Sequence, residues 1–238
     1  MERVGRMGDG GKWVCGMSKF EASSRVRPCV IYSFGVRDES SFENEMLSRT
    51  DCEVWAYDFS VVDFGEQLEH GNRARAKFMQ VGIAGKTDKN RSPPFYSIAD
   101  LMKMNGHDYM WVIACLLPLS PACDLCKLTE NNHSDILKMD IEFAEFEAMD
   151  GLSADFPADK GYELPIGQLM IEIHLFKDRM NSKKYLEWWE RLESRGLRPA
   201  WTEPNLIAVT MNANGDKDPN MAEYTMINVH DKRNVILQ

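Results

Sequence analysis

The chain has 238 residues and a formal net charge of −9, with 44% hydrophobic and 27% charged residues. That length and balance are ordinary for one large soluble domain or two small ones. The acidic surface argues against a dedicated nucleic-acid or anionic-membrane partner, although it leaves room for a local basic groove.

Neither a signal peptide nor a membrane span is visible in the sequence. Met1–Lys12 contains Gly, Asp and Lys and has no apolar core, and the longest apolar run, Met110–Leu119, is too short to cross a bilayer. We therefore expect a cytoplasmic protein without a membrane span, and leave open an anchor or signal upstream of this chain.

The first candidate for ligand binding is a glycine-rich stretch, MGDGGKWVCG at residues 7–16. Gly10 and Gly11 permit positive φ and a close approach of the backbone to a ligand. A surface turn before a short strand at Lys12–Cys15 has the same composition, so both interpretations stay open.

A strand, a glycine turn and a helix follow in order. The apolar run CVIYSF at Cys29–Phe34 predicts the strand and Gly35 ends it. A helix begins near Ser41, where Ser40 or Ser41 can cap it. This order forms a cradle for nucleotide phosphates or similar groups, with Ser33, Phe34 and Gly35 as candidate contacts. The three glycines of the dinucleotide fingerprint are missing.

The second strand, CEVWAYDF at Cys52–Phe59, ends in an acid. Asp58 lies 23 residues after Gly35, which is the position of an acid that accepts ribose hydroxyls. An Asp in an ordinary strand-end turn is the alternative. Ala76–Ala84 alternates and predicts a third strand ending near Gly82, and Ser97–Met104 predicts an amphipathic helix capped by Ser97.

The segment DILKMDIEFAEFEAM, Asp135–Met149, predicts a fourth strand that runs directly into a helix. Asp140 and Glu142 are two residues apart, so on a strand they share a face at its carboxyl end, where ligands bind in open α/β sheets. Glu145 and Glu147 are interpreted as acids that favour the dipole of the helix N-terminus.

The remaining chain predicts a fifth strand at Gln168–Leu175, on which Glu172 and His174 share a face. A helix at Lys183–Arg195 then stops at Gly196. Three closing strands are predicted at Arg198–Trp201, Leu206–Met211 and Tyr224–Val229. We therefore predict an α/β, Rossmann-like, mostly parallel sheet with helices on both faces and an antiparallel C-terminal strand pair.

Residues 110–134 interrupt a helix-to-strand connection that is usually only a few residues long. They hold three of the six cysteines and two prolines, and we interpret them as an insertion outside the core sheet. A retained intron and a lid or partner-binding loop are both possible origins. The lone C-x-x-C of Cys123 and Cys126 has no second pair, so no metal is predicted there. Cys29 and Cys52 are interpreted as small core residues in a reducing compartment.

Several stretches together carry a resemblance to a known family: GDGGKWVC, VIYSFGVRDESSFE, CEVWAYDFS, QVGIAG, DILKMDIEFAEFEAM, QLMIEIHLF and WTEPN. The chain resembles the class I S-adenosylmethionine-dependent methyltransferases, and more closely the eukaryotic methyltransferase-like domain proteins related to FkbM methyltransferases. The resemblance implies a single domain over residues 1–238, a seven-stranded sheet and S-adenosylmethionine at its carboxyl edge.

The resemblance also implies roles for individual residues. Phe34 and Gly35 would pass under the methionine end of the cofactor, and Asp58 would hold the ribose hydroxyls. Phe59 would flank the adenine, with Gly82 and Ile83 near the base. Asp140 would face the amino-acid part or the substrate. FkbM-type relatives carry Gly where Phe143 stands here, so the turn and the floor of the substrate pocket are expected to differ.

Methyl transfer to an O, N or S acceptor needs positioning and, for some acceptors, proton removal. If strands four and five are neighbours, Asp140, Glu142, Glu172 and His174 converge, and His174 is the first candidate for the base. A satisfied, partly buried histidine is the alternative, and a divalent metal on these groups stays open. The acceptor is expected to be a small molecule or a protein. Two other functions stay open: a nicotinamide-dependent oxidoreductase, and a non-catalytic binding protein with this fold.

Overall fold

The computed structural model describes residues 1–8, 10–107, 133–175, 180–206 and 220–238. Short turns of 3-10 helix lie at His70–Arg75, Ala158–Lys160 and Val235–Leu237. The strands and helices are, in chain order, β1 (Glu2–Val4), β2 (Lys12–Val14), α1 (Met17–Ser23), β3 (Val30–Phe34), α2 (Ser41–Arg49), β4 (Glu53–Tyr57), β5 (Ala76–Met79), β6 (Gly82–Ile83), β7 (Phe95–Tyr96), α3 (Ile98–Met104), β8 (Ser134–Met139), α4 (Glu145–Asp155), β9 (Ile166–His174), α5 (Ser182–Ser194), β10 (Leu197–Asn205) and β11 (Met221–Asn228).

Seven strands form the central sheet in the order β10–β11–β9–β8–β3–β4–β5. The pairs β5/β4, β4/β3, β3/β8 and β8/β9 are parallel, whereas β11 runs antiparallel to β9 and β10. This confirms the predicted mostly parallel, Rossmann-like sheet with an antiparallel C-terminal pair. In the register, Phe34 pairs with Tyr57 and Met139, and Met139 pairs with Ile171. The carboxyl ends of β3, β4, β8 and β9 therefore meet at one edge.

Helices cover both faces, as predicted. Side chains alternate along each strand, so Tyr32 and Phe34 enter one hydrophobic core while Ile31 enters the other. The first core also holds side chains of α3, α4 and α5, and the second holds side chains of α1 and α2. Every residue of β8 and β9 is buried, which is the pattern of parallel strands covered on two sides.

The predicted third strand, Ala76–Ala84, is wrong as a single strand. It divides into β5, in the central sheet, and β6, which pairs in parallel with β7 in a separate sheet. The Val81 amide donates to the Met79 carbonyl (3.0 Å), and this turn carries the chain out of the central sheet.

The prediction that the fourth strand runs directly into its helix is also wrong. The strand ends at Met139 and α4 begins at Glu145. Between them Glu142 (φ 51°) and Phe143 (φ 79°) adopt left-handed backbone conformations. Asp140 and Glu142 therefore do not share a strand face, although both lie at the carboxyl edge.

Cys29 and Cys52 are buried, as predicted, but they form a disulfide rather than two free core thiols. They directly precede Val30 and Glu53, which are register partners at the start of β3 and β4. Cys123 and Cys126 lie outside the described residues, as do most of the predicted insertion and most of the predicted strand at Leu206–Met211. Ser134, at the end of that insertion, begins β8.

The helix predictions at Ser97–Met104 and Lys183–Arg195 are confirmed by α3 and α5. Ser97 caps α3 by accepting a hydrogen bond from the Asp100 amide, and Gly196 follows α5 with φ 91°. Within the described ranges, none of the helices has the length and apolar character needed to cross a membrane.

Candidate functional site

A cavity of about 500 Å³ opens at the carboxyl edge of the central sheet. Loops that follow β3, β4, β5 and β8 form its walls. It brings together seven of the residues that the sequence predicted for a site: Gly35, Asp58, Phe59, Gly82, Ile83, Asp140 and Glu142.

The turn after β3 is the narrowest part of the wall. Gly35 has φ 76°, and a Cβ there would overlap the backbone carbonyl of Asp140. The Gly35 amide donates to the Tyr57 carbonyl and the Asp140 amide donates to the Phe34 carbonyl, both at 3.0 Å. Three strand ends are thus held within backbone contact, and only glycine fits at position 35.

Asp58 is buried at the end of β4 and is already partly satisfied. Its Oδ2 accepts from the Arg37 amide (2.8 Å), and its Oδ1 accepts from the amide (2.7 Å) and hydroxyl (2.6 Å) of Ser60. A carboxylate offers about four acceptor positions, so one position at Oδ2 remains for a ligand hydroxyl. Asp58 therefore joins the loops after β3 and β4 and can also receive a ligand.

An aromatic slot forms the wall beside Asp58. The ring of Phe59, which is 51% exposed, lies 5.6 Å from that of Phe95, and the Arg91 guanidinium stacks 3.3 Å from the Phe95 centroid. A Cβ at Gly82 would collide with the Phe95 ring, so glycine lets this ring reach the cavity. Because the two rings contact each other, a purine would pack against the exposed Phe59 side of this apolar slot, near Ile83, and not between the rings.

The opposite end of the cavity is acidic, and His174 lies behind it. His174 Nδ1 is 2.8 Å from Glu145 Oε1, and its Nε2 is 3.5 Å from Glu142 Oε2. Burial by itself would lower the pKa of His174, but the hydrogen bond and charge of Glu145 raise it to about 8. His174 therefore carries a proton at neutral pH, which argues against its predicted role as the base.

Glu172 is better suited than His174 to accept a proton at neutral pH. Burial, reinforced by the charge of Asp140, raises the pKa of the Glu172 carboxyl to about 7. Asn205 Nδ2 donates to Glu172 Oε1 at 2.8 Å, and the Asp140 and Glu172 carboxyls share a hydrogen bond. A group that titrates near neutrality is suited to accept a proton.

The buried ammonium of Lys12 lies among these acids. Its Nζ is 2.9 Å from Glu223 Oε1 and 3.5 Å from Asp140 Oδ2. Burial by itself would raise the pKa of Asp140, but the charge of Lys12, the hydrogen bond with Glu172 and the charges of Lys138 and His174 together lower that pKa below its ordinary value.

Ligand atoms of Asp140, Glu172 and His174 lie within 4.8 Å of one another, so the predicted convergence is present. Such a spacing would suit a divalent cation. However, Lys12 already supplies a positive charge to two neighbouring carboxylates and His174 is protonated, so we assign no metal to this set.

Four predicted cofactor contacts lie away from the cavity. Gly10 and Gly11 belong to the turn between β1 and β2, where a Cβ would meet the Glu39 side chain or the Arg6 carbonyl. The Ser33 hydroxyl donates to Glu43 Oε1 (2.6 Å) beneath the sheet, and Phe34 is buried in the core. Gly10 and Gly11 therefore form a tight turn, and the side chains of Ser33 and Phe34 face neighbouring elements of the fold.

Two residues at the acidic end, Lys12 and Glu145, were not predicted as site residues, although the sequence pattern around each indicates a buried ionisable group. Lys12 and Val14 occupy the two buried positions of β2, on either side of the half-buried Trp13. Glu145 occupies the first position of the buried stripe of α4, which continues with Ala148, Met149 and Leu152. An ionisable residue at a core position of an amphipathic pattern points to a buried partner.

The mostly parallel sheet, the strand–glycine turn–helix after β3 and the cavity at the carboxyl edge define a Rossmann-like fold. The chain belongs to the family described as "Methyltransferase domain", whose model matches residues 1–212. This confirms the methyltransferase part of the resemblance, whereas the relation to FkbM enzymes stays a prediction.

Three solved structures are similar to the chain at low identity. The fibrillarin pre-rRNA processing protein of Methanococcus jannaschii is 11% identical, with 92% of this chain and 70% of that chain covered and a TM-score of 0.45. The METTL16 methyltransferase domain is 8% identical, with 90% and 65% covered and a TM-score of 0.43. A TehB-like S-adenosylmethionine-dependent methyltransferase of Corynebacterium glutamicum is 9% identical, with 91% and 89% covered and a TM-score of 0.37. No curated protein matches the chain.

Proposed function

We propose that the protein is an S-adenosylmethionine-dependent methyltransferase whose cofactor binds in the cavity at the sheet edge. The observation that carries the proposal is the meeting of the Gly35 turn, the remaining acceptor position of Asp58 and the Phe59–Phe95 slot in one cavity of about 500 Å³. The cofactor supplies a methyl group already activated on a sulfonium, so the chain itself has to position the reactants and manage protons.

The residues present fit such a cofactor. The adenine would pack against Phe59 near Ile83, and the remaining acceptor position of Asp58 would receive a ribose hydroxyl. The Gly35 turn would pass beneath the methionine end, which is then directed toward Asp140. The three-glycine fingerprint of nicotinamide-binding domains is absent from the sequence around Gly35, which disfavours the oxidoreductase alternative.

The acidic end is assigned to the acceptor. Glu172 is buried behind Asp140, which lines the cavity and shares a hydrogen bond with it, and its pKa of about 7 suits it to take the proton of the acceptor at neutral pH. His174 would stay protonated on Glu145 and orient the acids around it. Carboxylates of Asp140, Glu142 and Glu147 line the cavity, and they favour a small-molecule or protein acceptor over a phosphate-rich nucleic acid.

Titration calorimetry with S-adenosylmethionine, S-adenosylhomocysteine and NAD tests the cofactor assignment. We expect both sulfur ligands to bind and NAD not to bind. Asp58→Ala should weaken binding by about 1–3 kcal/mol because a hydrogen bond to a charged group is lost. The control is Asp63→Ala, an exposed acid of the same loop that pairs with Arg73 and should leave the affinity unchanged.

Circular dichroism must accompany the Asp58 variant because Asp58 also joins two loops. Binding of NAD in place of the sulfur ligands would overturn the proposal, and unchanged affinity in Asp58→Ala would remove this residue from the site. Transfer of radiolabelled methyl to a cell-extract component tests turnover. Cofactor binding without any transfer would favour the non-catalytic alternative.

A further inference from the structure

The antiparallel hairpin of β1 and β2 places the buried ammonium of Lys12 beside Asp140 at the acidic end of the cavity. Lys12 is only 2% exposed, although it lies in a three-residue strand at the start of the chain. Neighbouring contacts hold it in place. The Cys15 amide donates to Gln168 Oε1 (2.8 Å), the Thr225 hydroxyl donates to the Trp13 carbonyl (2.6 Å), and the Trp13 ring lies 4.9 Å from that of Trp201.

The sheet beneath the hairpin carries an unusual row of acids. Glu172 pairs with Glu223, and Glu223 pairs with Glu203, in the antiparallel ladders of β9, β11 and β10. Residues directly opposite in such ladders have side chains on the same face, and like charges there are destabilising. The row therefore requires cations from another element.

The hairpin supplies those cations in a selective way. Arg3 Nη1 donates to Glu203 Oε2 at 2.8 Å, at the exposed end of the row. Lys12 Nζ contacts Glu223 Oε1 and Asp140 Oδ2. The inner acid, Glu172, accepts a hydrogen bond from the neutral amide of Asn205, and the charge of Lys12 lowers its pKa without offsetting the effects of burial and of Asp140.

This distribution decides which acid can hold a proton. Neighbouring carboxylates cannot all ionise without a counter-charge, and the one with the weakest compensation keeps its proton to the highest pH. The hydrogen bond between Asp140 and Glu172 lowers the pKa of Asp140 and raises that of Glu172, as expected for a Glu172 O–H that donates to an ionised Asp140.

We propose that Lys12 is a positioning residue for methyl transfer, because its buried ammonium pairs with Glu223 and with Asp140, which lines the cavity, and leaves Glu172 as the group that takes the acceptor's proton. The inference rests on the proposed function. In the balanced step, the acceptor's X–H proton moves to the Glu172 carboxylate and the X lone pair forms the bond to the methyl carbon. The carbon–sulfur bond breaks and sulfur keeps its electron pair.

The first test is an infrared pH titration of the protein without ligand, so it does not depend on activity. Difference spectra against Glu172→Gln should show one carboxylic acid that titrates near pH 7 in the wild type. Lys12→Met should move this titration upward by about one to three pH units, the usual effect of removing a neighbouring opposite charge. Lys12→Arg should restore it. The charged groups that act on Lys12 are Asp140 after β8, Glu172 of β9 and Glu223 of β11, and Asp140 is also influenced by Lys138 of β8 and His174 of β9.

A second variant should shift the Glu172 titration in the opposite direction, so the inference can still be tested if Lys12→Met does not fold. Glu223→Gln removes one negative charge next to Glu172, and Lys12 keeps its contact with Asp140. The Glu172 titration should therefore shift to lower pH. The control is Lys19→Met, which removes an exposed ammonium from α1 that donates to the Ile236 and Gln238 carbonyls. It should leave the titration unchanged.

The acid limb of the pH profile of kcat/KM should follow the infrared titration in each variant. Titrations that stay at the wild-type pH in both Lys12→Met and Glu223→Gln would overturn the inference. Absence of binding of S-adenosylhomocysteine by the wild type would instead overturn the proposed function, and the two failures are therefore distinguishable.

Discussion

The two ends of the cavity are built in different ways. The nucleotide end is formed by loops that directly follow neighbouring parallel strands, with Gly35 and Asp58 each at the end of its strand. The acidic end joins side chains that are far apart in the chain, such as Lys12 and Glu223, which are separated by 211 residues. The first end depends on backbone geometry and the second on compensated charge, so different substitutions should damage them.

The largest effect is expected for Gly35→Ala, which tests the nucleotide end. A Cβ there would overlap the Asp140 carbonyl, so the backbone of the turn must move. We expect a loss of about 3 kcal/mol or more in the free energy of unfolding, together with loss of S-adenosylhomocysteine binding. Chemical denaturation and calorimetry measure the two quantities.

Gly106→Ala is the matched control. Gly106 has the same φ of 76°, but among the described residues no atom lies within 4 Å of a Cβ there. The control therefore carries only the conformational cost, about 1–2 kcal/mol. Equal destabilisation in the two variants would show that the contact with Asp140 does not determine the requirement for glycine.

The next largest effect concerns Glu145, at the acidic end. Glu145→Gln removes the charge that faces His174 Nδ1, so the pKa of His174 should fall by about one to three units. Imidazole proton resonances followed by NMR over pH report this pKa directly. Glu147→Gln is the control because Glu147 is an exposed acid in the same first turn of α4. Similar shifts in both variants would return Glu145 to the role of a general helix-dipole acid.

These two regions also explain how much the sequence could predict. The succession of strands along the chain follows from local sequence pattern. Gly35 and Asp58 follow from it too, since each directly follows the strand that positions it. Glu145 does lie in the first turn of α4, as predicted, but its pairing with His174 was not predicted because the helix dipole already gives a first-turn acid a sufficient local explanation. Its pairing with His174 depends on which strand lies next to α4, and that is a property of the folded sheet.

The same reasoning applies to the other errors. The Cys29–Cys52 disulfide depends on the β3/β4 register, which places both residues just before paired positions. The break in Ala76–Ala84 depends on β7, because β6 leaves the central sheet to pair with it. Lys12 could be identified as an inward residue, but its partners, Asp140 and Glu223, lie far from it along the chain.

A smaller effect is expected for the pH dependence of stability. The folded state raises the pKa of His174 from 6.5 to about 8, so its contribution is fully present below about pH 6.5 and is lost as the pH rises through 8. The free energy of unfolding should therefore fall on the order of 1–2 kcal/mol between pH 6 and 9. Glu172, whose pKa is raised to about 7, acts in the same direction at lower pH.

Denaturation at several pH values in the wild type and in His174→Gln measures this effect. The variant should show a flatter profile between pH 6.5 and 8. His70→Gln removes an exposed histidine and serves as the control. A profile of unchanged slope in His174→Gln would mean that the Glu145 pair does not contribute to the pH dependence of folding.

The smallest effect is expected from replacing residues 110–132 with a short Gly-Ser linker. We maintain the prediction that this segment is an insertion outside the core sheet, now ending before Ser134 because that residue pairs with Ile166 in β8 and β9. The described residues on either side have their own core contacts. His107 Nδ1 is 2.7 Å from the Tyr32 hydroxyl, and His133 Nδ1 is 2.9 Å from Asp231 Oδ2.

Because both ends are held independently, the replacement should leave the free energy of unfolding and the affinity for S-adenosylhomocysteine within about 0.5 kcal/mol of the wild type. Denaturation and calorimetry test this directly, and transcript reads that join the codons on either side of the segment would support a retained intron. Unfolding of the variant, or loss of its affinity, would show that the segment belongs to the fold. The nucleotide end would then depend on more than the local loops that follow its strands.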